Sequence, residues 1–125
     1  MINLPNKIPV FPLSNFIIFP ETTVPLNIFE PRYLQMIDDA MKGSKMIGII
    51  QPKKQNQINP LLYDIGCAGK ITNYNETADG RYLIVLSGIS RFKIIQEVNT
   101  EKLYRECKVN FNDFKIDLNE HKEEI

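Results

Sequence analysis

Six of the eight prolines in this 125-residue chain fall within its first 31 positions: Pro5, Pro9, Pro12, Pro20, Pro25 and Pro31. Proline fixes φ and carries no backbone N–H, so neither a long helix nor a long central strand can pass through this region. The apolar pieces between the prolines, residues 8–13, 16–19 and 24–29, are expected to form short β segments at sheet edges. Tight turns such as Ser14-Asn15 join them.

The last of these prolines predicts a helix over 31–42. Pro31 suits the first helical position, where an N–H has no partner in any case, and Glu30 places negative charge at the positive end of the dipole. Tyr33, Leu34, Ile37, Ala40 and Met41 recur at three- and four-residue steps and form one apolar face. Asp38, Asp39 and Lys42 fall largely away from it, on a solvated face. Gly43 is placed to end the helix as a C-terminal cap.

Beyond the helix the pattern is β. Residues 45–50 read as a strand and 53–60 as a polar loop. Residues 61–74 form a longer strand in which Gly66 and Gly69 mark bends or bulges. The Asp79-Gly80 pair ends a turn over 75–80, with glycine at the positive-φ position of a hairpin. Residues 81–86 are the strongest strand signal; Ser87-Gly88 kinks it before 91–95 resumes, and 102–111 supplies one more strand. Short kinked strands with one helix predict a mainly β, α+β fold: a small coiled barrel or strongly bent sheet with the helix packed against it. Residues 1–111 read as that domain. Residues 112–125 read as a charged C-terminal tail, either a fraying helix or untethered.

Fifteen basic and fifteen acidic residues cancel, which argues against a dedicated nucleic-acid or anionic-membrane binder. Cys67 and Cys107, with the lone His121, give neither a disulfide framework nor a zinc site, so the reading is a cytosolic protein with no metal or cofactor. Cys67, in an apolar stretch, reads as a core residue rather than a reactive thiol. No apolar run approaches the roughly 18–20 residues that span a bilayer. Phosphate-loop, nucleophile-elbow and zinc-helix motifs are all missing; Gly69-Lys70 is followed by Ile71 and lacks the upstream glycine. Asp38 and Asp39 point about 100° apart on a helix and do not converge on one ion.

Three arginines sit at junctions: Arg32 in the first helical turn, Arg81 at a strand start, and Arg91 after the glycine kink. With Glu30 and Asp79 nearby in sequence, Arg32 or Arg81 is expected to clamp the helix to the sheet through ion pairs. Most aromatics alternate with polar neighbours and read as core. Phe19 and Phe29 flank turns and prolines, where a side chain stays partly exposed. An apolar groove beside Phe19, Pro20, Phe29 and Arg32 would suit an extended or unfolded peptide.

In this order, several of these pieces resemble the amino-terminal domain of the ATP-dependent protease Lon. Ile8-Pro9-Val10-Phe11-Pro12-Leu13 is similar to that family's opening strand and Phe19-Pro20 to its Phe-Pro-Gly turn. Residues 25–33, ending in Phe29-Glu30-Pro31-Arg32-Tyr33, resemble its entry into the first helix, and Ile65-Gly66-Cys67-Ala68-Gly69-Lys70-Ile71 its glycine-bearing strand. Asp79-Gly80-Arg81-Tyr82 and Gly88-Ile89-Ser90-Arg91-Phe92 are similar to its last paired motifs. The likeness covers roughly residues 7–110. It implies a pseudo-barrel related to PUA-like folds and a non-catalytic role in recognising protein substrates. The partners it implies are unfolded or degron-bearing polypeptides, with a protease or chaperone alongside.

The family's ATPase and Ser–Lys protease modules have no counterpart here, so the resemblance implies either a stand-alone Lon-domain protein, the form the sequence resembles more, or an excised domain. Two departures stand out. Glu21 replaces the glycine that often follows Phe-Pro, so that turn is expected to need no positive φ. The family's chains also continue into a helical region, which at Ile125 implies either truncation or a minimal version. The alternative function is RNA binding, as in other PUA-like folds, with Lys42, Lys45, Lys53, Lys54 and Lys70 as the candidate patch; the charge balance speaks against it.

Overall fold

The computed structural model describes residues 4–14, 17–53 and 60–118. Six strands form one sheet: β1 (Lys7–Pro12), β2 (Thr23–Ile28), β3 (Met46–Ile50), β4 (Ile65–Glu76), β5 (Tyr82–Val98) and β6 (Arg105–Asn110). The helix α1 (Pro31–Lys42) joins β2 to β3, and residues 115–118 at the end of the described chain are also helical. The order is β2-β5-β4-β3-β1-β6, and an added β5–β6 pairing closes five strands into a ring with β2 attached outside it. The bent, mainly β fold expected from the sequence is the fold observed. No helix among the described residues is long and apolar enough to cross a membrane. The anticipated Ser14-Asn15 turn, Phe16, Lys54 and His121 fall wholly or partly outside the described residues, as does most of the 53–60 loop.

The ring closes because β5 is long enough to serve two neighbours on one edge. Its first half pairs with β2, from Thr23↔Ser87 to Ile28↔Tyr82, and its second half with β6, from Lys93↔Asn110 to Val98↔Glu106. The expected break at Ser87-Gly88 is therefore a bulge inside one continuous strand: Ala68↔Ser90 is followed by Gly69↔Gly88, leaving Ile89 unmatched. A bulge bends and twists a strand without ending it. The prolines sit where the ladder tolerates them. β2 pairs only with β5, so Pro25 lies in an edge strand, and Pro9 precedes the point where β1 begins pairing with β3. Residues 17–19, anticipated as a strand, form none.

The sheet is buried on both faces over its middle. Ile47 and Ile49 join Phe11, Ile71, Ile84, Leu86 and the helix residues Tyr33, Met36, Ile37 and Ala40 in one cluster. On the opposite face Met46 and Ile50 join Ile8, Val10, Ala68, Phe92, Cys107 and Val109. Met36, which the spacing argument passed over, is fully buried. Two strand glycines serve the second cluster: a Cβ on Gly48 or Gly66 would lie 2.8 or 2.7 Å from the Phe92 ring.

Two expectations about side-chain partners are overturned. Among the described residues, Arg32 and Arg81 do not tie the helix to the sheet. Each pairs with the acid two residues before it, Arg32 with Glu30 at 3.3 Å and Arg81 with Asp79 at 3.0 Å, as local surface pairs. The ties come instead from the aspartates assigned to solvent. The Tyr82 hydroxyl donates to Asp38 and the Tyr104 hydroxyl to Asp39, both at 2.7 Å, while the Leu103 N–H donates to Gln35 at 3.0 Å.

Candidate functional site

The anticipated site residues divide between two places. β2 has six residues, and at about 3.3 Å per step they hold its ends roughly 17 Å apart. Phe19 and Pro20 precede one end; Phe29, Glu30, Pro31 and Arg32 follow the other. Both phenylalanines are well exposed, Phe19 at 59% and Phe29 at 64%. At the α1 end, Arg32 lies over the Tyr33 ring with its charge 4.6 Å from the centroid, and Tyr33 itself stacks on Phe11 in the core. Burial raises the Tyr33 pKa.

The Phe19 end opens on an apolar groove of about 210 Å³ lined by residues 17–19, the end of β3, the start of β4, and Arg91. Alternation along residues 17–19 sets one wall. Ile18 is buried and anchors its segment, so Ile17 and Phe19 project on either side of it. Cys67 is also buried, whereas Ile65, on the same face of β4 but at its first residue, lies beyond the buried stretch and is half exposed. Ile17, Phe19 and Ile65 therefore surround a floor of Ile18, Ile49, Ile50, Gly66 and Cys67, with Gln51 and Arg91 as its polar members.

The groove wall at Phe19 is fastened to β5. The Glu21 N–H donates to the Gly88 carbonyl at 2.9 Å, and the Gly88 N–H donates to the Thr22 carbonyl at 2.8 Å. The Thr22 hydroxyl closes the turn onto the Phe19 carbonyl at 2.7 Å. Held this way, Glu21 takes φ 68°, in the left-handed region. The expectation that this turn needs no positive φ is wrong: the ladder to Gly88 dictates the backbone, and glutamate accepts the strain. The same conformation appears at Lys45, with φ 62°, while Gly43 ends α1 at φ −119°.

Arg91 links the groove to the C-terminal segment. Residues 112–114 form a 3-10 turn, and Asp117 beyond it is buried. Its carboxylate accepts from the Arg91 backbone N–H at 2.9 Å, from Nε at 3.1 Å and from Nη2 at 3.0 Å. The Phe114 ring lies 4.8 Å from the guanidinium carbon. Bonding to Arg91 outweighs burial and holds the Asp117 carboxyl below the usual range.

The other motif residues are structural in their contacts. Phe92 is fully buried. Gly80, at φ 86°, makes the β4–β5 turn, where Thr77 and Arg81 bond Asp79 and lower its pKa. Gly69 faces Leu86, 2.6 Å from where a Cβ would sit. The groove thiol is inert in character, since burial pushes Cys67 up to about 12. Among the described residues no cluster of His, Cys, Asp and Glu is arranged to hold a metal. Sequence reasoning missed Ile17, which alternates with the buried Ile18, and Ile65, which starts β4 beyond its buried stretch.

The chain resembles Lon proteases along most of its length. It is 29% identical over 107 residues to Lon protease 1 of Herpetosiphon aurantiacus, covering 82% of this chain and 13% of that protein. It is also 29% identical over 101 residues to the Lon protease of Flavobacterium johnsoniae, covering 78% and 12% respectively. The chain thus spans about an eighth of the length of these relatives. In fold it is similar to a Lon N-terminal domain protein from Xanthomonas campestris, with TM-score 0.68 and 23% identity over 84% of this chain and 59% of that one. The N-terminal domain of a Mycobacterium avium complex Lon protease gives TM-score 0.66 and 20% identity over 84% and 54%. Residues 7–125 match the substrate-binding domain of ATP-dependent protease La (LON), and the chain belongs to that family.

Proposed function

We propose that this chain is a non-catalytic module that recognises protein substrates, taking an extended apolar segment of an unfolded or degron-bearing polypeptide into the groove beside Phe19. The observation that carries the reading is the open groove itself, with Ile17, Phe19 and Ile65 exposed around a floor of core residues. Exposed apolar surface gathered around a concavity marks an interaction site. Family membership points the same way. A shallow apolar groove with few polar groups also suits loose sequence requirements, since side-chain burial rather than hydrogen-bond readout supplies the affinity. In this reading catalysis is the work of a protease or chaperone partner in the cytosol.

The test is a fluorescence-anisotropy titration of the chain with a labelled, permanently unfolded polypeptide. Saturable binding competed by short apolar peptides is expected. The Phe19→Ser/Ile65→Ser double variant should weaken it about tenfold or more, because two apolar contacts are lost. Phe29→Ser, at the far end of β2, should leave it unchanged. No binding by the folded wild-type chain, or salt-dependent binding of structured RNA in its place, would overturn the proposal.

A further inference from the structure

Arg91 is the one formally charged residue lining the groove among the described residues. A guanidinium at the edge of an apolar groove ordinarily attracts carboxylates, because its planar fork matches their geometry. Here Nε and Nη2 already engage the two oxygens of Asp117. The pair is asymmetric in exposure: the Arg91 side chain is 47% exposed and that of Asp117 only 7%. A cation therefore faces the groove while its counter-ion is buried behind it.

We infer that Asp117 sets the charge preference of the groove: by neutralising Arg91 it makes the site select uncharged apolar segments over acidic ones. The inference rests on the groove being the polypeptide-binding site. An incoming carboxylate gains little from Arg91, because drawing the fork forward strips a buried anion of its partners. An uncharged segment incurs no such loss. The C-terminal segment thereby acts on specificity without lining the groove itself. The carboxylate also accepts the Arg91 backbone N–H, so its position is fixed by the strand as well as by the side chain.

The experiment uses the full chain and two labelled peptides that share an apolar segment, one flanked by serines and the other by glutamates. Wild type should bind the serine-flanked peptide more tightly than the glutamate-flanked one; equal binding of the two would overturn the inference. Asp117→Asn keeps an oxygen for hydrogen bonding but removes the charge. It should shift the affinity ratio toward the glutamate peptide by about threefold to tenfold, an effect that fades at high salt. Arg91→Gln gives an independent readout, moving the ratio about threefold the other way. A purely structural role for Asp117 would change both affinities alike. If wild type binds the serine peptide and neither variant moves the ratio, the Asp117 inference is overturned and the groove reading stands. Failure of wild type to bind either peptide overturns the groove reading and this inference with it.

Discussion

The Phe19 carbonyl oxygen occupies the space beside Gly88 so fully that a Cβ on Gly88 would lie 2.0 Å from it. No side chain fits there without moving backbone. This contact seats the Phe19 turn on β5, and the Gly88 N–H and carbonyl each bond that turn as well. The glycine is required by close approach rather than by an unusual φ.

Gly88→Ala should therefore destabilise the protein by about 1–3 kcal/mol, as overpacking at a tight contact does. It should also displace Phe19 and weaken polypeptide binding beyond the loss of stability. Urea denaturation measures the first effect. Titration at a temperature where the variant is fully folded measures the second.

The helix is held by tyrosines, so Tyr104→Phe should cost about 1.5–3 kcal/mol, the usual range for a hydrogen bond to a charged group, leaving Asp39 without its donor. Tyr82→Phe should cost less, since the Tyr82–Asp38 pair is exposed. Arg32→Ala and Arg81→Ala should leave the melting temperature nearly unchanged, because their ion pairs are local and solvated. A double-mutant cycle of Tyr104→Phe with Asp39→Ala should show a coupling that accounts for most of the Tyr104 effect.

Asp117 makes stability pH-dependent with a defined sign. Its carboxyl is held below the usual range in the folded state, chiefly by Arg91. The stabilisation is therefore fully present above the ordinary carboxylate pKa of about 3.9 and is lost as pH falls through the folded value. Asp117→Asn should cost about 1 kcal/mol at neutral pH, discounted for the exposed guanidinium. Between about pH 5 and pH 2 the wild-type melting temperature should fall more steeply than that of the variant.

Both thiols should resist alkylation in the native state. Burial pushes Cys67 up to about 12 and Cys107 up to about 11, so neither is appreciably ionised at pH 8, and the thiolate is the reactive species. Iodoacetamide should label neither in folded protein and both after denaturation. Mass spectrometry distinguishes the two results, and rapid native labelling of Cys67 would place it outside the core.

The chain's local punctuation is legible without the structure. Clustered prolines confine β1 and β2 to short pieces, Pro31 starts α1, and Asp79-Gly80 turns β4 into β5, because each depends on φ or on a missing N–H within a few residues. The apolar face of α1 follows from period alone, and the choice of a bent, mainly β fold from short strand signals broken by prolines and glycines. The tertiary structure decided what period cannot express. Asp38 and Asp39 meet tyrosines 44 and 65 residues away. Glu21 takes a left-handed conformation because Gly88 lies opposite it. Arg91 finds its acid 26 residues on rather than beside it. The groove exists because Ile18 turns inward and leaves Ile17 and Phe19 outside, and because Ile65 starts β4 beyond the buried stretch that includes Cys67. A residue's type limits which partners can satisfy it, but ring closure by a 17-residue β5 determines which of them arrive.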